Sequence, residues 1–443
     1  MRFTTSSLFV GLCVGSFFWG LGADVMGRRA AFNFTLLITS IFGTWASYAG
    51  SWGHVCALFA CLGTGVGGSL PVDGAVFLEF LPDASSALLT LLSVWWPVGQ
   101  LASSFLAYYF ITGWPVEDGW RYFIRSIGVV TFAMFAIRFF FFRLFESPKF
   151  LLSQGRQAEA VAVVHGMAYR NGKKTWITEE ILDAVADVDG AGGRRRPGSA
   201  SAVVTPSPRL SSVWAVVKDN LTSVSLDRVR PLFVNRTLGI TTLLIWSTWT
   251  TIGMGYPLFN AFLPQYLSHG NAPADDIPVE GGSGPGATSP AAYRNYAIMS
   301  VVGVPGSLLA AYAVDLDSPF LGRRGTLAIS TLVSAVFLFL FVTLGTTPGT
   351  QLFFTCVESF CQNIMYGVLY AFTPEVFPAP ARGVGSGVAS LLNRLAGLLA
   401  PVIAATVPGD GTTAPVYLSA ALILAAFVGV VLIPIETRGR QRL

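Results

Sequence analysis

Long apolar runs alternate with short polar breaks along almost the whole chain. Eleven of these runs are long enough to cross a hydrocarbon layer as helices, which takes about 17–25 residues. They lie at 6–23, 31–48, 53–80, 85–111, 122–144, 237–262, 292–314, 325–345, 350–373, 383–407 and 414–434. The pattern breaks once, over 145–236, and this polar stretch divides the runs into five and six. Its start, from Ser147 to Met167, has helical spacing, whereas its middle, Asp189-Gly-Ala-Gly-Gly-Arg194-Arg195-Arg196-Pro, has the make-up of a disordered tether. Residues 212–230 alternate apolar and charged groups at helical spacing, which predicts a helix lying on a membrane surface. The chain thus reads as a membrane half at 1–146, a linker at 147–236 and a second membrane half at 237–443.

Composition agrees. Hydrophobic residues make up 53% and charged residues 12%, with a mean hydropathy of +0.60, far from the roughly 25% charge of a soluble domain. The charge that remains is one-sided: 13 of the 28 Lys and Arg fall in 145–236, and Arg28, Arg29, Arg323, Arg324, Arg382 and Arg438 fall in loops on the same side. By the positive-inside rule that side is cytosolic, which leaves the acidic loops at Glu117-Asp118 and Asp275-Asp276 on the other. The sequons at Asn33, Asn220 and Asn235 then sit on or near the cytosolic side, where they are not glycosylated. Cys13, Cys56, Cys61, Cys356 and Cys361 all lie in apolar runs, which argues for packing rather than disulfides or zinc. A phosphate-cradling Gly-x-x-x-x-Gly-Lys-Ser/Thr loop is absent, so ATP-driven chemistry has no support.

Three polar signatures occur twice, in the same order. The first copy runs Asp24-Val-Met-Gly27-Arg28-Arg29, then Glu79-Phe-Leu-Pro82, then Glu146-Ser-Pro148. The second runs Asp317 to Gly322-Arg323-Arg324, then Glu375-Val-Phe-Pro378, then Glu436-Thr-Arg438-Gly439. The first-to-second acid spacing is 55 residues in one copy and 58 in the other, and the first-to-third is 122 and 119. Such duplication marks a transporter built from repeated halves.

These motifs, with Pro374, Glu375, Arg382 and Gly383, the segment Pro434 to Gly439, and the glycine-rich stretch 63–82, resemble the major facilitator superfamily, near its sugar-porter and synaptic-vesicle-protein-like branches. The resemblance implies an all-α membrane protein with two six-helix-type halves around a central cavity, alternating its access. In that family the Asp-x-x-Gly-Arg-Arg loop joins helices 2 and 3, yet only one apolar run precedes Asp24. The eleven runs then correspond to helices 2–6 and 7–12, and helix 1, with its share of the substrate site, is expected to be missing through a truncated gene model or an internal start.

Charges at loop junctions can pair within each half and break as the halves rock. One expected cytosolic gate comprises Asp24, Arg28, Arg29, Glu79 and Glu146; the other comprises Asp317, Arg323, Arg324, Glu375, Arg382 and Glu436. Three charges are read as lying inside the membrane itself, where each costs a few kcal/mol and marks function by default: Asp73, Glu358 and Arg394. Either Arg394 and Glu358 staple two neighbouring helices, or Arg394 grips an anion through its planar fork while Asp73 or Glu358 carries a proton. Gln100, Asn260, Gln362, Asn363, Tyr366 and Asn393 are candidates to hydrogen-bond the solute, and Trp95, Trp96, Trp246 and Trp249 serve equally as packing residues or stackers. The expected activity is secondary active transport of a small organic solute, an organic anion in particular, coupled to protons. The expected partners are that solute, protons and the lipid bilayer, with no nucleic acid, cofactor, metal or enzyme chemistry. A hexose-type carrier and a non-transporting sensor or vesicle protein are the alternatives. The plasma membrane is the default location, with a vacuolar or vesicular membrane as the other choice.

Overall fold

In the computed structural model, residues 2–80, 87–142, 144–153, 156–181, 230–269, 290–316, 321–377, 382–406 and 413–437 are described. Eleven long helices appear among them, one for each apolar run. They are α1 (Arg2–Met26), α2 (Arg28–Ala46), α3 (Trp52–Phe80), then α4, which runs from Ala87–Leu91 through a 3₁₀ turn at Leu92–Val94 into Trp95–Gly113, and α5 (Val116–Phe140). After the linker come α6 (Arg236–His269), α7 (Pro290–Ala313), α8 (Arg323–Leu344), α9 (Pro348–Val376), α10 (Arg382–Thr406) and α11 (Ala414–Val431). Seven helical segments are by length and hydropathy able to cross a membrane, among them Arg323–Leu344 and Ala414–Val431. The polar side chains inside these helices are largely returned to their own backbone: the hydroxyls of Thr241, Thr242 and Thr248 each donate to the carbonyl four residues back at 2.8 Å. In a medium without water that local bond removes the cost of an unsatisfied hydroxyl.

In the first half, α3 packs against α1 and α2, and α2 against α5. In the second, α6 packs against α10 and α11, α9 against α7 and α8, and α8 against α11. Small residues set the closest approach. A Cβ on Gly67 would lie 2.4 Å from the carbonyl oxygen of Leu12, and one on Gly11 would lie 2.0 Å from that of Ala60, so α1 and α3 meet backbone to backbone. The second half instead surrounds a large apolar core around Phe259, Phe341, Met365 and Phe372, with the Phe259 and Phe341 rings edge to face at 5.6 Å.

The halves touch mainly along two seams, α1 against α10 and α4 against α7, and α9 also reaches α4. Of the linker, Pro148–Ser153 and Gln157–Arg170 are helical, where helical spacing predicts it. The expected tether at 189–200 and nearly all of the expected surface helix at 212–230 lie outside the described residues.

Candidate functional site

Both helices that follow an Asp-x-x-Gly-Arg-Arg-type loop start the same way. Gly27 and Gly322 stand at their N-caps with φ of 95° and 104°, a conformation that costs a side-chain-bearing residue and not glycine. This turn aims the first N–H groups of each helix at the acid that ends the same half. Glu146 Oε1 accepts from the N–H groups of Arg28 (2.8 Å) and Arg29 (3.3 Å), and Glu436 Oε2 accepts from that of Arg324 (3.1 Å). The expected pairing of these acids with guanidinium groups is thus replaced, in these bonds, by capture of a helix N-terminus, where four orphan N–H groups and the positive end of the dipole attract a carboxylate.

A side-chain ion pair does occur one residue earlier in the second half. The Arg323 guanidinium grips Glu375 through both Nε and Nη2, the latter at 2.7 Å, with both side chains almost wholly buried. Thr437 Oγ1 donates to the same carboxylate at 3.0 Å, and Arg324 Nη2 donates to the Val431 carbonyl at 2.8 Å. Asp317 lies outside the described residues, as do the side chains of Asp24, Glu79 and Arg382.

The three intramembrane charges do not form one cluster. Asp73 belongs to the first half, where Arg138 of α5 is the cation acting on it. Arg138 is itself fixed by the Phe32 carbonyl, to which Nη1 donates at 3.1 Å, and by the Phe32 ring 3.3 Å beneath its guanidinium carbon. Sequence reading passed over Arg138 because it stands two residues before the end of α5, where basic residues are ordinary. Glu358 is 3% exposed, accepts a hydrogen bond from Ser334 Oγ of α8 at 3.4 Å, and faces Tyr256 and Cys361. Among the described residues no ion pair joins it to Arg394, so the staple expected between α9 and α10 is not formed.

Arg394 points the other way, into the α1–α10 seam. It is 4% exposed; Nη1 donates to the Leu12 carbonyl across the seam and Nε to Ser390 Oγ, both at 3.2 Å, and Cys13 and Tyr370 lie close enough to act on its charge. All these partners are formally neutral groups. Tyr370 opens onto a cluster of rings that the sequence did not show: Trp96 of α4 at 5.0 Å, Trp249 at 4.7 Å, then Tyr366, which meets Trp96 at 6.2 Å and Tyr256 at 5.6 Å, all edge to face. Trp96 comes from the first half and the others from the second, so the cluster bridges them.

The amides are more tightly committed. Asn260 Nδ2 donates to the Tyr256 carbonyl at 3.1 Å and Asn363 Nδ2 to that of Ser359 at 2.8 Å. Asn393 presses on Gly253, and its buried Oδ1 has no hydrogen-bond donor. Gln362 is buried beside the rings on α9, and Gln100 is half-buried on α4.

Two helical halves joined along two seams, with acid-capped loops on one face and a ring-lined, charge-bearing middle, define a multi-pass membrane transporter. The chain belongs to the major facilitator superfamily. A family model described as "Sugar (and other) transporter" matches residues 1–191, and one described as "Major Facilitator Superfamily" matches 286–443. The chain is 40% identical to "MFS siderochrome iron transporter 1" of Ceriporiopsis subvermispora, over 100% of this chain and 81% of that protein. It is 25% identical to "Niacin transporter NiaP" of Acinetobacter baylyi, over 98% and 84%. The solved proton:xylose symporter XylE superposes with a TM-score of 0.70 at 17% identity, covering 100% of this chain and 87% of that one, a likeness of fold.

Proposed function

We propose that this protein carries a small organic anion across the membrane by alternating access, coupled to protons. The observation that carries the reading is Arg394: a guanidinium buried on the seam between the halves, held by a carbonyl and a hydroxyl and by no carboxylate among the described residues. A buried cation with only neutral partners favours an incoming anion, and its planar fork suits a carboxylate. The rings of Trp96, Tyr366 and Tyr370 beside it favour a flat solute over a flexible one. The niacin transporter among the relatives is named for a carboxylic acid, in keeping with this choice.

Glu358 supports the proton role. It is buried with a hydroxyl donor and no cation beside it among the described residues, so its charged form is costly and a proton is the natural counter-charge. Asp73, which Arg138 acts on only through space and whose buried Oδ1 has no hydrogen-bond partner, is the second candidate for that role.

Counterflow in liposomes containing the purified full chain tests the reading. Preloaded aromatic carboxylates should drive exchange that hexoses do not compete away, and uptake should follow an inward proton gradient. Competition by hexoses instead of carboxylates would favour the hexose carrier, and no exchange above that of empty liposomes with any solute would point to a non-transporting protein on the same fold.

A further inference from the structure

A groove of about 380 Å³ lies between α4 and α7, the seam away from Arg394. Leu101, Phe105 and Tyr108 form one wall; Arg294, Ile298 and Val301 form much of the other. Its direction is fixed by the rotation of α7. The Met299 carbonyl accepts from Ser359 Oγ of α9 at 3.1 Å, Gly303 abuts Asn363 and Gly306 abuts Phe360, so these positions define the face of α7 packed on α9. At 3.6 residues per turn, Arg294 and Val301 fall on the opposite face and Ile298 on its flank. The groove therefore opens away from the packed interior, towards hydrocarbon, and Phe105 and Val301 are 61% and 53% exposed along it.

Its length and its mouth have a definite chemistry. From Tyr293 to Val302 the α7 wall rises about 13 Å at 1.5 Å per residue, close to the depth of one leaflet's hydrocarbon, half of about 30 Å. Arg294 stands in the second turn after the helix start at Pro290, exposed, at the end of the groove nearest the membrane surface. An arginine there extends its head to the interface while its stem lines the groove. A cation at the top of an apolar trough between transmembrane helices matches a phosphodiester above an acyl chain.

We infer that the α4–α7 groove is a phospholipid site, with one acyl chain lying along Phe105, Ile298 and Val301 and the lipid phosphate on Arg294. The leaflet is the one at the Gly113 and Pro290 ends of these helices, opposite the basic loops. Because the groove straddles both halves, a seated lipid bears on the packing of the seam that moves during transport.

The test uses the full chain, purified and delipidated in detergent, with thermal unfolding followed as dioleoylphosphatidylglycerol, dioleoylphosphatidylcholine, dioleoylglycerol or inorganic phosphate is added. Both phospholipids should raise the midpoint saturably, whereas the neutral diacylglycerol and phosphate alone should not. Arg294→Gln should weaken the apparent lipid affinity about tenfold, and Val301→Trp, which fills the trough, should abolish the shift. Native mass spectrometry of wild type and Arg294→Gln gives a second reading that does not depend on Val301→Trp folding: a retained phospholipid in the first and its loss in the second. An equal shift in wild type and Arg294→Gln, an equal shift from diacylglycerol, or unchanged lipid retention in Arg294→Gln would overturn the site. None of these readouts depends on the identity of the transported solute.

Discussion

The Glu436 carboxylate accepts the backbone N–H of Arg324 across 112 positions of chain, and Glu146 does the same for Arg28 in the other half. A carboxylate at a helix N-terminus is worth about 0.3–1 kcal/mol when exposed and up to about 2 kcal/mol when partly buried. Glu146→Gln or Glu436→Gln keeps an acceptor and loses the charge, so each should loosen one end of its half without unfolding it. Maleimide labelling of cavity cysteines from the basic face should rise in both variants, and transport should fall severalfold. Labelling at the wild-type rate in both would reduce these acids to helix terminators.

The Arg323–Glu375 pair should behave differently because both partners are buried. Neutralising one orphans the other and costs about 3–5 kcal/mol, whereas replacing both with methionine should recover much of that stability. Arg29 has an exposed side chain, and Arg29→Gln should cost under about 0.5 kcal/mol. Detergent-solubilised melting curves of these four proteins check the order; a double variant no better than the worse single would show that the pair is not the unit.

Arg394 and Glu358 should act independently. Arg394→Lys retains the charge but not the fork, so solute affinity should weaken while the protein stays folded. Glu358→Gln should flatten the rise in uptake that wild type shows as the outer pH falls. Since the two side chains do not meet, their stability changes should add to within about 0.5 kcal/mol, and rescue of either by the other would restore the stapled arrangement that the geometry lacks.

Glycine contacts give a test of packing. Gly67→Ala places a methyl 2.4 Å from the Leu12 carbonyl, which can move only with α1, and should cost about 1–3 kcal/mol. Gly387→Ala on α10 meets nothing within 4 Å and should be neutral or stabilising by up to about 1 kcal/mol. Monodispersity and melting of the two proteins distinguish close backbone contact from a general intolerance of larger residues.

The helices were legible because hydropathy is a one-dimensional property: a run of apolar residues becomes a span whatever it packs on. The gate motifs were legible as a duplicated pattern and, at Arg323 and Glu375, as an ion pair, but not in the acids that end each half. Glu146 and Glu436 find N–H groups, which no letter in the sequence displays, and only the paired Gly27 and Gly322 hint at the turn that exposes them. The ring cluster was hidden for a related reason. Trp96 and Tyr370 are 274 positions apart in different halves, and aromatic residues are ordinary in any membrane helix. Asp73 was grouped with Arg394 only because both are charges inside the membrane, whereas azimuth decides partnership, and the cation acting on Asp73 is Arg138.

Each cap also fastens the segment after the last helix of a half to the start of an early one, so that each half is cinched like a barrel by its hoop. Within a cinched bundle, sliding one helix past another would first have to unlatch the acid from the N–H groups. The soft directions that remain belong to the half as a whole. On the proposed reading, a solute bound at Arg394 would therefore move a solid lever, with the short acid that closes the hoop setting how little of that motion is lost inside it.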